Sequence, residues 1–191
     1  MALSSKREKR LWQAAGLCIL LIYSSLYIAR PIAEYLRDRN LLRLSVALIF
    51  LAVAGAIGWR LAMSRPNLRV VLSATLVGVA YCALLTSIPM LPEERLHFLQ
   101  YGAVAALIYL ALEERRLRLD EAGTGRVDLP TRLPSIAVAA VATGVLGWID
   151  EGIQAILPNR YYDIRDVAFN AAAGIICLAS LRLVEWARAS E

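Results

Sequence analysis

The chain alternates between long apolar runs and short polar segments. Each run is close to the roughly 20 residues that an α-helix needs to cross about 30 Å of hydrocarbon. Unpaired backbone amides are costly in lipid and the runs show no strand-like alternation, so the pattern predicts helices. The expected fold class is an all-α, polytopic transmembrane bundle of about six helices. The runs cover residues 11–29, 44–62, 70–90, 92–112, 135–157 and 164–186.

Composition agrees with lipid as the main solvent of this chain. Hydrophobic residues make up 59% of the 191 positions and charged residues 19%, whereas soluble domains have roughly 45–50% and about 25%. Cys18, Cys82 and Cys177 lie in apolar runs without C-x-x-C spacing, which indicates small hydrophobes rather than a zinc site or a disulfide framework. Residues 27–31 offer no convincing signal-peptidase site, so we expect an uncleaved first helix.

The distribution of basic residues predicts the orientation. If the N-terminus is cytoplasmic, 14 of the 21 Lys and Arg residues lie inside and 7 lie outside. This excess follows the positive-inside rule, so both termini are expected in the cytoplasm. The net charge of +5 is thereby accounted for by topology, and no basic helix with interleaved aromatics predicts a nucleic-acid partner.

The segments between the runs suggest a simple organisation. Residues 32–43 are expected to form a short interfacial helix on the outer side, and residues 113–134 a basic cytoplasmic linker. We divide the chain into an N-terminal three-helix region, residues 1–91, and a C-terminal three-helix region, residues 92–187. Together they are expected to form one membrane domain.

Polar side chains enter the fourth and fifth predicted helices near their outer ends. His97 and Tyr101 lie one turn apart in the fourth helix, which is expected to begin at Pro92. In the fifth helix, Asp150 is followed by Glu151 and, one turn on, by Gln154. An ionised carboxylate at this depth costs at least about 2–3 kcal/mol if it faces lipid. Asp150 is therefore expected to face the bundle interior or a wet cavity.

The sixth predicted helix begins with a polar stripe. Asp163, Asp166 and Asn170 follow at i, i+3 and i+7, and Pro158 turns the chain so that Arg160 lies near both groups. Asp163 also suits a helix cap. We call the expected set the polar cluster, and its members are His97, Tyr101, Asp150, Glu151, Gln154, Arg160, Asp163, Asp166 and Asn170.

The order of these residues resembles the VanZ-like family of membrane proteins. The resemblance covers about residues 92–180 and rests on Arg95-x-His97-Phe98-x-x-Tyr101, Asp150-Glu151-x-x-Gln154, Pro158-x-Arg160 and Asp163-x-x-Asp166-x-x-x-Asn170. It implies a multi-pass protein of the bacterial cytoplasmic (inner) membrane and cell envelope, in a family whose namesake is associated with low-level teicoplanin resistance. Relatives often have Gly three residues after the Asn, where this chain has Ala173 followed by Gly174.

Three functions fit the polar cluster. The first is a non-enzymatic, outward-facing pocket for the headgroup of a membrane lipid or lipid-linked envelope precursor, with Arg160 on phosphate and Asp150 and Glu151 near an amine. The second is an intramembrane hydrolase or transferase acting on a lipid-linked phosphate. The third is an accessory subunit docked to a membrane-protein partner in a larger complex, with the polar face buried as a structural contact and its acids paired with Arg160 and Arg165.

The enzyme hypothesis assigns roles to four residues. His97 or Glu151 is the candidate base, Arg160 stabilises a phosphate or oxyanion, and Asp150 orients His97. Acidic side chains also supply the oxygen ligands that Mg²⁺ or Ca²⁺ takes. Since the chain has no recognised catalytic or metal-ligand motif, the sequence assigns neither a metal nor a cofactor.

Overall fold

The computed structural model describes residues 5–121, 134–158 and 160–189. Within this part of the chain there are six α-helices and no strand. All six are long and apolar enough to cross a membrane, which is the architecture of a multi-pass membrane protein. The predicted all-α class is therefore confirmed. The helices are α1 (Lys6–Asp38), α2 (Leu42–Met63), α3 (Leu68–Ser87), α4 (Leu96–Glu121), α5 (Ser135–Ile156) and α6 (Ile164–Ala189).

The first helix is longer than predicted. The separate interfacial helix expected over residues 32–43 is wrong, because α1 continues through Pro31 to Asp38. A proline inside a helix removes one backbone hydrogen bond, but packing compensates here. Ala33 is buried against Leu42 and Val46 of α2, so the outer end of α1 is part of the packed structure.

The fourth helix is shifted along the chain relative to its predicted position. Residues 92–95 form turns, and α4 begins at Leu96 rather than at Pro92. It then extends through residues 113–121, which were expected to belong to the cytoplasmic linker. An ion pair between Arg118 and Glu8, with nitrogen and oxygen 2.7 Å apart, holds this extension against α1. The remainder of the predicted linker, residues 122–133, lies outside the described residues.

The core of the bundle is built around α4. Half of the apolar membrane-spanning segment of α4 is buried, compared with 6% of that of α2 and 11% of that of α3. Helices α1, α5 and α6 pack around α4, whereas α2 contacts α1 and α3 contacts α6. The last three helices together with α1 therefore form the packed unit, and α2 and α3 leave most of their apolar surface exposed.

Two glycines allow α5 and α6 to approach closely. A Cβ placed on Gly147 would lie 2.5 Å from the Cβ of Asn170, and one on Gly174 would lie 2.9 Å from Cγ2 of Thr143. Neither distance is compatible with the present packing. One glycine in each helix therefore determines how closely the two helices approach each other. The contact at Gly147 brings α5 against the face of α6 that carries Asn170.

Candidate functional site

Polar side chains from α4, α5 and α6 meet at one end of the bundle. Asp150, Glu151 and Asn170 have no exposed surface, and Tyr101 and Gln154 are also buried. Asp150 thus faces the bundle interior, as expected from the cost of exposing a carboxylate to lipid. Burial of so many polar groups requires that they find hydrogen-bond partners within the protein.

Asp150 is held from the facing helix α4. The hydroxyl of Tyr101 donates to Asp150 Oδ2 at 2.8 Å, and the ring of His97 stacks on that of Tyr101 with centroids 6.2 Å apart. His97 is half-buried beside Tyr101. Tyr101 is therefore hydrogen-bonded to Asp150 on one side and stacked on His97 on the other.

Glu151 and Gln154 connect α5 to the beginning of α6. Glu151 Oε1 accepts from Gln154 Nε2 at 2.7 Å, and Oε2 accepts from the backbone amide of Asp163 at 3.2 Å. The side-chain oxygen Oε1 of Gln154 in turn accepts from Arg160 Nη1 at 3.2 Å. Arg160 is thus fixed to the buried part of the polar cluster through two side chains.

Arg160 also contacts the first helix. Its Nη2 donates to the backbone carbonyl of Leu26 at 3.3 Å. The hydroxyl of Tyr23 donates to the carbonyl of Leu146 at 2.8 Å, which forms a second hydrogen bond between α1 and α5. Together these contacts make α1 a wall of the site, a role that the apolar pattern of its sequence did not reveal.

The polar stripe that begins just before α6 becomes more buried from Asp163 to Asp166 and Asn170. Asp163 is exposed and its Oδ1 accepts from the backbone amide of Arg165 at 2.8 Å, which is the expected capping role. Asp166 is half-buried. Asn170 is fully buried, and its Nδ2 donates to the carbonyl of Gly147 at 3.4 Å. The stripe thus runs from the surface into the bundle core.

Several buried polar atoms lack a hydrogen-bond partner among the described residues. Those that belong to the polar cluster are Asp150 Oδ1, Asn170 Oδ1, His97 Nδ1 and Arg160 Nε. Since a buried polar group without a partner is costly, these atoms are the points where a ligand or water gains most from binding.

A cleft of about 330 Å³ lies between α1 and the connection from α5 to α6. We refer to it as the cleft, and its lining residues are Leu26, Tyr27, Arg30, Pro31, Glu34, Leu157, Pro158 and Arg160. Of the polar cluster, only Arg160 lines the cleft. The residues from α1 were missed at the sequence level, where the spacing of Arg30 and Glu34 by four positions was the available signal.

The acidic side chains of the polar cluster bind different partners. Within residues 5–121, 134–158 and 160–189, no three His, Cys, Asp or Glu side chains are placed to hold a metal ion together. Asp150 and Glu151 are neighbours in sequence but bind different partners, Tyr101 and Gln154. The described side chains therefore form hydrogen-bonded groups, and the Arg160 guanidinium lies at the edge of the group built on Glu151 and Gln154.

Comparisons with known proteins do not assign a family. No family model matches the chain, and no curated protein or solved structure matches it significantly. The resemblance to VanZ-like proteins stays a prediction, and function is inferred from the geometry of the site.

Proposed function

We propose that this membrane protein binds the headgroup of a membrane lipid or lipid-linked envelope precursor in the cleft. The observation that supports this proposal is the position of Arg160, which belongs both to the cleft wall and to the buried network. A guanidinium has five N–H donors. Its bonds to Gln154 and Leu26 hold the group in place, and the donors that remain suit the oxygens of a phosphate.

The size and lining of the cleft fit a headgroup better than a whole lipid. Its volume of about 330 Å³ lies at the lower end of the roughly 300–1,000 Å³ typical of small-molecule sites. Leu26, Leu157 and Pro158 provide apolar surface beside Arg160. A bound lipid would therefore place its phosphate and adjoining atoms in the cleft and leave its acyl chains in the bilayer.

The test is the lipid that copurifies with the protein. Wild type, Arg160→Ala, Arg160→Lys and the control Arg43→Ala would be purified in mild detergent, and bound lipid would be quantified by native mass spectrometry. Arg43 is exposed and does not line the cleft. We expect Arg160→Ala to weaken lipid binding roughly ten- to hundredfold, Arg160→Lys to weaken it less, and Arg43→Ala to leave it unchanged. Equal lipid content in all four proteins would refute the proposal.

The resemblance to VanZ-like proteins extends the proposal to the cell envelope. On that interpretation the protein lies in the bacterial inner membrane with the polar cluster on the extracytoplasmic side, and headgroup binding is linked to teicoplanin resistance. Support comes from the excess of basic residues predicted on the opposite side and from the meeting of motif residues at one end of the bundle. Expression in a teicoplanin-susceptible host should raise the inhibitory concentration for wild type and Arg43→Ala but not for Arg160→Ala.

An intramembrane hydrolase or transferase is the second candidate. The observation in its favour is His97, whose buried Nδ1 has no partner among the described residues and whose ring stacks on Tyr101, the residue that holds Asp150. Such a histidine suits proton transfer to or from a bound substrate. Extracted lipids and cell-wall precursors would be compared for wild type and His97→Ala. A covalently altered lipid found only with wild type supports catalysis, and identical profiles count against it.

A further inference from the structure

We infer that the cleft selects a phospholipid headgroup bearing a primary amine, with the phosphate at Arg160 and the ammonium at Glu34. This inference rests on the proposed headgroup binding and names its ligand class. It starts from the side chains that α1 contributes to the cleft, which carry charges of both signs.

Three of these residues occupy successive turns of α1. Leu26, Arg30 and Glu34 are spaced four apart, so each lies about 6 Å further along the same face of the helix. Arg160 is fixed at the first level by its bond to the carbonyl of Leu26. The cationic groups therefore come first along the cleft and the Glu34 carboxylate comes last.

This order matches the depth profile of a lipid. Leu26 is buried and lies within the apolar run that ends near residue 29, whereas Glu34 lies beyond that run. In a phospholipid the acyl chains lie deepest, the phosphate follows and an amine-bearing group is outermost. The Arg160 guanidinium is bonded at the level of Leu26, two helical turns or roughly 12 Å before Glu34 along the axis. This span is covered by the phosphate and ammonium joined by two carbons, together with the contact that each makes with its partner side chain.

A ligand can displace the bond between the two charged side chains that α1 contributes to the cleft. Arg30 Nε donates to Glu34 Oε1 at 3.0 Å, with the two side chains 40% and 54% exposed. Exposed ion pairs of this kind contribute little to stability, so a zwitterion can displace the bond at small cost. The ammonium would then gain the Glu34 carboxylate, while the phosphate lies at the Arg160 guanidinium.

Hydrogen-bond chemistry distinguishes the amine classes. A primary ammonium offers three N–H donors to Glu34, whereas a quaternary ammonium offers none. A glycerol headgroup carries the phosphate charge but no cation for Glu34. The expected order of affinity is therefore phosphatidylethanolamine first, followed by phosphatidylcholine and phosphatidylglycerol.

The experiment titrates the purified full-length protein with these three lipids, all with identical acyl chains, and measures each dissociation constant by native mass spectrometry. Glu34→Gln should weaken phosphatidylethanolamine binding about two- to fivefold and remove its advantage over phosphatidylcholine. Asp38→Asn is the matched control, because Asp38 is an exposed acid at the same end of α1 that does not line the cleft. The Asp38→Asn variant should retain the wild-type order of affinity for the three lipids.

Failure of this inference is distinguishable from failure of headgroup binding. If wild type binds all three lipids equally and Arg160→Ala weakens all three, the amine selectivity is wrong and headgroup binding stands. Retention of the phosphatidylethanolamine advantage in Glu34→Gln would also overturn the selectivity. If Arg160→Ala changes no dissociation constant, headgroup binding itself is wrong and the selectivity falls with it.

Discussion

Tyr101 and Asp150, on facing helices and both buried, are joined by a hydrogen bond of 2.8 Å. Removing the hydroxyl leaves Oδ2 of Asp150 without this donor in a site that excludes solvent. We expect Tyr101→Phe to lower the free energy of unfolding by about 1–3 kcal/mol. Denaturant titration in detergent measures the change.

The control for this substitution is Tyr161→Phe, since the Tyr161 side chain is 80% exposed. Its stability should equal that of wild type. A double-mutant cycle with Asp150→Ala, which removes the acceptor oxygens, then isolates the pairwise contribution. Additive effects of the two substitutions would contradict a direct bond between them.

The crossing of α5 and α6 predicts opposite effects for two glycines of the same helix. Gly147→Ala would place its Cβ 2.5 Å from Asn170 Cβ, whereas a Cβ at Gly152 meets nothing within 4 Å. Forced separation of packed helices costs about 1–3 kcal/mol, so Gly147→Ala should lower the unfolding temperature. Gly152→Ala should leave the unfolding temperature unchanged or raise it, because alanine favours helix. Equal effects would be inconsistent with the described packing.

The buried carboxylate at the beginning of α1 predicts that Arg118 contributes to the stability of the protein. Glu8 is 5% exposed and pairs with Arg118 at 2.7 Å. Arg118→Ala leaves this carboxylate without its guanidinium partner, and since Arg118 is partly exposed we expect a destabilisation of about 1–3 kcal/mol. Hydrogen exchange should increase in the first turns of α1. Arg116→Ala, which removes an exposed pair with Glu113, is the control and should change neither quantity.

The positive-inside pattern predicts which residues are reached from outside the cell. Single cysteines at Asp38 and Glu121 would be introduced after replacing Cys18, Cys82 and Cys177 by Ala. An impermeant maleimide should label the cysteine at position 38 in intact cells and the one at position 121 only after permeabilisation. The reverse labelling would show the opposite orientation and place the cleft on the cytoplasmic side.

The parts of the structure that follow from local physics were predictable. Each apolar run is long enough to span the membrane, and the cost of a lipid-facing charge is sufficient to orient Asp150 inward. The helix ends were less predictable, because α1 passes through Pro31 and α4 begins after the Pro92 turn. Both departures depend on packing against other elements.

The cleft itself could not be predicted from the sequence. Its walls are joined by the bond from Arg160 to the carbonyl of Leu26, and nearby by that from Tyr23 to the carbonyl of Leu146. Each bond links positions more than a hundred residues apart through a backbone carbonyl, which carries no residue-specific signal. Only the tertiary arrangement shows that α1 belongs to the site.

The continuity of α1 has a mechanical consequence. Its 33 residues make a rod of about 50 Å, well beyond the roughly 30 Å of the hydrocarbon layer. Near one end Glu8 is tied to Arg118, and towards the other Leu26 is tied to Arg160 and Arg37 to Glu93. A rod clamped in this way cannot tilt at one membrane surface without straining the clamp at the other, so the two surfaces are linked through a single helix.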